Sequence, residues 1–328
     1  MSTPEPHARI APGSIAGAAP RRTAAEELRF DSTDGYPLAG TLFRPAEANG
    51  ISVLISGAYA TGRGYYAAYA RYLAARGFTL LTYDYRGFGG SRFAGWRGEP
   101  PRQVHWGERD LAAAIEWLHG HAPDHRLVMV GHSAGGYLLG LAPNHRRVLA
   151  LLTVATQSGY WRLRDGWRAA LSYVFFRALL PAGARLAQRF PGLRRGPFAA
   201  PLGAALDWSR WGLHPQYFCD ARGWPLRFHF DDVTVPVRAY HLADDLVYAP
   251  RRAVEALRDF YARAPVEIVH RAPADYGVER IDHFGFFRSW MPSVAWEETA
   301  QWLADAVGVR SAPATAAGGP NPSTGVTP

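Results

Sequence analysis

Two hydrophobic textures alternate along the chain. Apolar runs of strand length at residues 51–56, 78–83, 127–130, 148–155, 237–242 and 266–270 are separated by segments with helical spacing near 65–76, 106–119, 134–141, 251–262 and 294–306. Runs that are apolar at almost every position suit strands covered on both faces, which is the situation of a parallel sheet between helical layers. Two half-polar stretches, 27–31 and 38–44, flank Asp34-Gly35 and predict an opening hairpin. The pattern therefore predicts an α/β fold with a mostly parallel central sheet flanked by helices.

The rhythm breaks once, between the sixth and seventh expected strands. Residues 157–232 are far too many for an ordinary connection and predict an insertion with structure of its own. It carries Trp161, Trp167, Phe176, Trp208, Trp211 and Tyr217 among many aromatics, interleaved with arginines and interrupted by Pro181, Pro191, Pro197 and Pro201. The expectation is a small helical subdomain that packs most of these aromatics inward and turns the rest toward the sheet to line a pocket.

The core is accordingly assigned to 27–156 and 233–309, with the insertion at 157–232 between its two parts. Residues 1–26, rich in Ala, Pro, Gly and Arg, lack the apolar run of a secretory signal, and 310–328 hold almost nothing to bury. They are expected to be a disordered leader and tail. No segment approaches the roughly 18 uncharged apolar residues of a membrane span, so a cytoplasmic protein without integral membrane association is expected.

Composition removes further classes. The chain has 328 residues, a single cysteine, Cys219, and a formal net charge of +8. One thiol forms no internal disulfide framework and no cysteine zinc cluster. Every cation is arginine, and the arginines occur singly or in pairs among acidic residues rather than in phosphate-tracking runs, which argues against nucleic acid as a partner. His119, His121 and His125 lie close together without the carboxylates or the His-Glu spacing of a metal site and are taken as surface residues. No metal is expected.

The chemistry concentrates at Gly131-His132-Ser133-Ala134-Gly135. An apolar strand runs into this Gly-x-Ser-x-Gly string and a small-residue helical pattern runs out, the setting that a nucleophile elbow requires. Glycines at 131 and 135 omit side chains that would collide in so tight a turn, and the amide of Ala134 at the helix start can donate to an oxyanion. A serine hydroxyl needs a base, and the base needs an acid that fixes its tautomer. Asp244-Asp245 follow the strand 237–242, with Asp245 preferred as acid and Asp244 the alternative; the partner that is not catalytic is expected to cap the following helix. His283, in a loop after the last strand, takes the place of the base, while His132 beside the serine shapes the site.

These segments, together with Ser56-Gly57-Ala58 and Asp84-Tyr85-Arg86-Gly87, resemble the α/β-hydrolase superfamily over roughly residues 28–309. Within it the chain is most similar to bacterial predicted serine hydrolases of the serine aminopeptidase-like branch, in which a double aspartate precedes a proline-containing turn and the base lies in a His-Phe-Gly-Phe-Phe-Arg-like run. The resemblance implies a lid between strands six and seven, no cofactor, and an oxyanion hole formed by the backbone of Ala134 and Ala58. Where many relatives carry His-Gly, this chain has Ser56-Gly57, so a hydroxyl from Tyr59 or Thr61 is the alternative second donor. By the same analogy Asp84 and Arg86 tie the loop behind the site.

The function expected from this set is two-step acyl transfer on a small-molecule ester or thioester with an apolar part, using Ser133, His283 and Asp245. A serine at the elbow argues against epoxide hydrolase or dehalogenase chemistry, which uses aspartate there. A cofactor-free acyltransferase with the same triad, and a non-catalytic binding protein that keeps the fold, remain as alternatives. The sequence carries no signal for oligomeric state.

Overall fold

The computed structural model describes residues 24–308. The expected leader, except for residues 24–26, and the expected tail lie outside the described residues. Eight strands form one sheet: β1 (Ala24–Asp31), β2 (Pro37–Arg44), β3 (Ile51–Ser56), β4 (Thr79–Tyr83), β5 (Arg126–His132), β6 (Leu151–Val154), β7 (Val237–Leu242) and β8 (Val266–Arg271). Their spatial order is β1-β2-β4-β3-β5-β6-β7-β8, antiparallel at β1/β2 and β2/β4 and parallel elsewhere. The mostly parallel sheet expected from the sequence is present.

Burial explains the pattern. β3, β4 and β6 are buried at every position, as strands with helices on both faces must be. β1 is an edge strand, mostly exposed, and it begins at Ala24, three residues before the expected start. Its first residues pair with Phe43 and Arg44 of β2 while burying nothing, so hydrophobic patterning has no means of marking them.

Helices Ala67–Ala74, Ala112–His121 and Ser293–Ala306 cover the sheet. The helix expected at 251–262 divides into Arg251–Glu255 and Leu257–Phe260. The helix expected at 134–141 ends at Tyr137 and tightens into a 3₁₀ turn, Leu138–Leu141. Within that turn a side chain at Gly140 would lie 2.2 Å from the Phe230 ring, so only glycine admits this packing.

The insertion between β6 and β7 is helical. Helices Trp167–Val174 and Leu180–Arg189 are joined by a π turn, Phe175–Leu179, and a third helix, Leu202–Leu213, lies against the π turn and Leu180–Arg189. Phe176, Leu180, Ala184 and Ala205 form a small core of their own, whereas Trp211, Tyr217, Phe218 and Phe230 join the main core. Inward packing is thus only part of the story. Trp167 and Trp224 remain 65% and 69% exposed.

A buried ionic cluster fixes the loop after β4. Arg86 is wholly buried and donates to Asp110 at 2.8 Å, to both carboxylate oxygens of Asp34 at 2.7 and 2.8 Å, and to Ser32 Oγ at 2.7 Å. Asp84 accepts from the amides of Arg63 at 2.7 Å and Gly90 at 2.8 Å. Burial pushes the Asp110 carboxyl up despite the attraction of Arg86, while hydrogen bonds and charge from Arg86 overcome partial burial and hold Asp34 well below the usual carboxylate range. Removing the guanidinium would leave Asp110 buried without a counter-charge. Arg86→Met is therefore expected to lower stability by about 3–5 kcal/mol, read from the urea midpoint at constant slope.

Candidate active site

β5 ends at His132, and the chain turns straight into helix Ala134–Tyr137. Ser133 sits at the vertex with φ 50° and ψ −117°, a conformation that a non-glycine residue adopts only when its surroundings impose it. The surroundings are backbone. A Cβ at Gly131 would lie 2.2 Å from Gly136 Cα, and one at Gly135 would lie 2.0 Å from the Ser56 carbonyl oxygen. Helix and sheet therefore approach as closely as main chains allow, with Ser133 raised between them. The Ala134 N–H opens the helix and has no acceptor inside it.

Asp245 and His283, the expected acid and base, lie on the segments that follow β7 and β8. Asp245 is buried and accepts the Nδ1–H of buried His283 at 2.5 Å. It also accepts the amide of Tyr248 at 3.0 Å. Burial opposes ionisation of Asp245, but the charge and hydrogen bond of His283 prevail and hold its carboxyl below the ordinary value. With its proton on Nδ1, His283 keeps a lone pair on Nε2. The Tyr248 ring covers this imidazole at 4.7 Å between centroids.

Asp244 does different work. Its Oδ2 accepts the amides of Ile281 at 2.7 Å and Asp282 at 2.8 Å, the turn that presents His283. Asp282 has φ 45° there, and the carboxylate of Asp244 holds that strained turn. The expected capping aspartate caps the turn before His283 rather than the helix that follows it in sequence.

His132 links the pieces together. Its Nε2 lies 2.9 Å from the His283 carbonyl, which only accepts, so the proton is on Nε2. Nδ1 then accepts from Tyr66 Oη at 2.9 Å, and Tyr66 Oη in turn accepts the amide of Ala58 at 2.7 Å. Ala58, expected as the second oxyanion donor, thus has its N–H engaged by Tyr66 in this conformation. Of the alternatives, Thr61 Oγ1 donates to the Tyr59 carbonyl at 3.3 Å. Tyr59 Oη is buried without a partner among the described residues. Ser133 Oγ likewise makes no hydrogen bond among the described residues; in unliganded sites such contacts often tighten only around substrate.

Over residues 53–238, more than half its length, the sequence matches the alpha/beta hydrolase fold family. The chain belongs to that family. No curated protein matches the sequence of this α/β hydrolase. Among solved structures it is similar to an esterase of Pyrococcus furiosus, with a TM-score of 0.56 at 16% identity over 93% of this chain and 97% of that one. It is also similar to a soluble variant of monoglyceride lipase from Saccharomyces cerevisiae, with a TM-score of 0.55 at 14% identity over 88% and 97% of the two chains. At such identities the likeness is one of fold.

Two residues of this α/β hydrolase escaped the sequence. Tyr66 lies eight positions after Ala58 in an unremarkable Tyr-Tyr pair, and only the fold brings its hydroxyl under the loop. Arg164, buried in the insertion, has no carboxylate within ion-pair distance among the described residues. Burial lowers its pKa. It donates instead to the carbonyls of Gly159 at 3.2 Å, Val247 at 3.1 Å and Tyr248 at 3.1 Å. The last two belong to the loop that carries Asp245, so the insertion and that loop are stapled together. Of the remaining histidines, His121 contacts Arg44 at 2.7 Å and His125 contacts Ser52 at 3.1 Å. No cluster fit for a metal occurs among the described residues.

Burial, with the neighbouring His283 adding to it, lowers the His132 pKa from 6.5 to about 3. Below 6.5 the unfolded chain binds a proton at this residue that the folded chain refuses, so stability falls as pH drops from 6.5 toward 3. Nitrogen-15 NMR should find His132 neutral and protonated on Nε2 at neutral pH. In His132→Gln, which keeps a donor and an acceptor, part of the acid sensitivity of the denaturation midpoint should disappear.

Proposed function

We propose that this chain is a serine hydrolase that cleaves carboxylic ester or thioester bonds of a small molecule through an acyl-enzyme. The observation that carries the proposal is the 2.5 Å bond from His283 to Asp245, packed against the residue that precedes a strained Ser133. Ser133 Oγ attacks the substrate carbonyl carbon while His283 Nε2 takes its proton, and Asp245 stabilises the imidazolium. The carbon–oxygen or carbon–sulfur bond then breaks, and the leaving group takes the proton from His283. Water repeats the sequence in reverse and frees the acid and Ser133.

The developing oxyanion is served by the amide of Ala134, and by that of Ala58 once the Tyr66 hydroxyl moves off it. Each such donor contributes a factor of about 10²–10³ in rate. The chemistry needs no cofactor. Aromatic faces where insertion meets sheet, such as Tyr59 tilted against Trp208 at 4.5 Å between centroids, favour a substrate with an apolar part, and we assign the insertion the role of a lid.

A fluorophosphonate probe should label the protein, and Ser133→Ala should abolish labelling and lower ester turnover by a factor on the order of 10⁴–10⁶. Folded wild-type protein that is never labelled and turns over no p-nitrophenyl ester of any chain length would overturn the proposal.

A further inference from the structure

The insertion presents a surface that the chemistry above does not use. Helix Trp167–Val174, the π turn Phe175–Leu179 and helix Leu180–Arg189 form one helical run of 23 residues, roughly 35 Å long. From the π turn onward one face of it, marked by Phe176, Leu180, Ala184 and Ala187, is buried, whereas helix Trp167–Val174 buries no residue. A second face is apolar and exposed among the described residues. Trp167, Leu171, Val174, Leu179, Leu186 and Phe190 are all exposed, Leu171 and Phe190 at 57% each.

Their spacing shows that they form a single stripe. Steps of four and three residues lead from Trp167 to Val174, and a step of seven leads from Leu179 to Leu186, as one helix face demands, with Phe190 exposed at the C-cap just beyond. Between Val174 and Leu179 the step is five, which in a plain α-helix would turn the stripe away. The π turn lies at that point and absorbs the extra residue, so both halves stay in line. Soluble monomers rarely leave so long an apolar strip uncovered.

Charge selects its partner. Residues 166–206 contain six arginines, at 168, 177, 185, 189, 194 and 195, and no acidic residue. Arg177, Arg185 and Arg189 are exposed on the same helical run. A second copy docked face to face would bring these cations against one another without any acid to offset them. A lipid surface with anionic headgroups satisfies both features, burying the apolar stripe at the acyl boundary and pairing the arginines with phosphate. The run is too interrupted by charge to cross a bilayer, and no described helix is long and apolar enough to do so.

We infer that the helical run Trp167–Arg189 is an interfacial docking face that binds the full protein reversibly to anionic bilayers. This inference is independent of the proposed ester chemistry. Co-sedimentation of the full chain with vesicles of phosphatidylcholine plus phosphatidylglycerol, against vesicles of phosphatidylcholine alone, tests it. About tenfold greater partitioning onto the anionic vesicles is expected, weakening with added salt. Leu171→Ser/Leu186→Ser and Arg177→Gln/Arg185→Gln/Arg189→Gln alter exposed side chains only, and each set should lower partitioning at least about fivefold with unchanged circular dichroism. Absence of binding to anionic vesicles at low salt, or binding untouched by either set of substitutions, would overturn the inference. So would sedimentation equilibrium showing a dimer that Leu171→Ser/Leu186→Ser dissociates, since the stripe would then belong to a second copy.

Discussion

The close approach of two main chains at Gly135 is the constraint on which the site depends. Where the Ser56 carbonyl lies 2.0 Å from the position a Cβ would take, no side chain is possible, and helix Ala134–Tyr137 can begin only hard against the end of β3. That proximity forces the backbone of Ser133 into positive φ and sets the Ala134 amide beside the serine. It also brings the loop at Ala58 within reach of the groups around His132. The backbone of Ser133, the amide of Ala134 and the neighbouring loop are placed by one steric fact.

Around this fixed point the remaining groups are held by hydrogen bonds that each admit one proton arrangement. Ala58 donates to Tyr66, Tyr66 to His132, and His132 to the carbonyl of His283. Asp245 orients the imidazole of His283, and Asp244 holds the turn on which it stands. Arg164 fastens the Asp245 loop to the insertion through carbonyls alone. The adjacent aspartates thus serve one histidine in two ways, and the two histidines 132 and 283 differ in role because one is sealed in the core with both nitrogens engaged.

What the sequence revealed followed from how much each group depends on its neighbours in the chain. The central strands were legible because burial on both faces leaves an unbroken apolar run, and the elbow because its glycines and serine are adjacent. His283 and the aspartate pair were legible from their places after strands. The edge residues 24–26 were not, since they pair without burying anything. Nor was the engagement of Ala58 by Tyr66, which is a contact between side chain and backbone made only after collapse. The exposure of Trp167 ran against expectation for a related reason: an aromatic residue says that a surface must be covered, not by what.

The π turn at Phe175–Leu179 bears on how this segment can change length. A π turn houses one residue more than the α-helical turn it replaces while leaving the flanks in phase. Losing a single codon there would give a plain helix with both faces intact. Losing one anywhere else in the run would swing one half about 100° around the axis relative to the other. In an otherwise rigid rod, this is the joint where an insertion or deletion goes unnoticed by both the buried and the bare side.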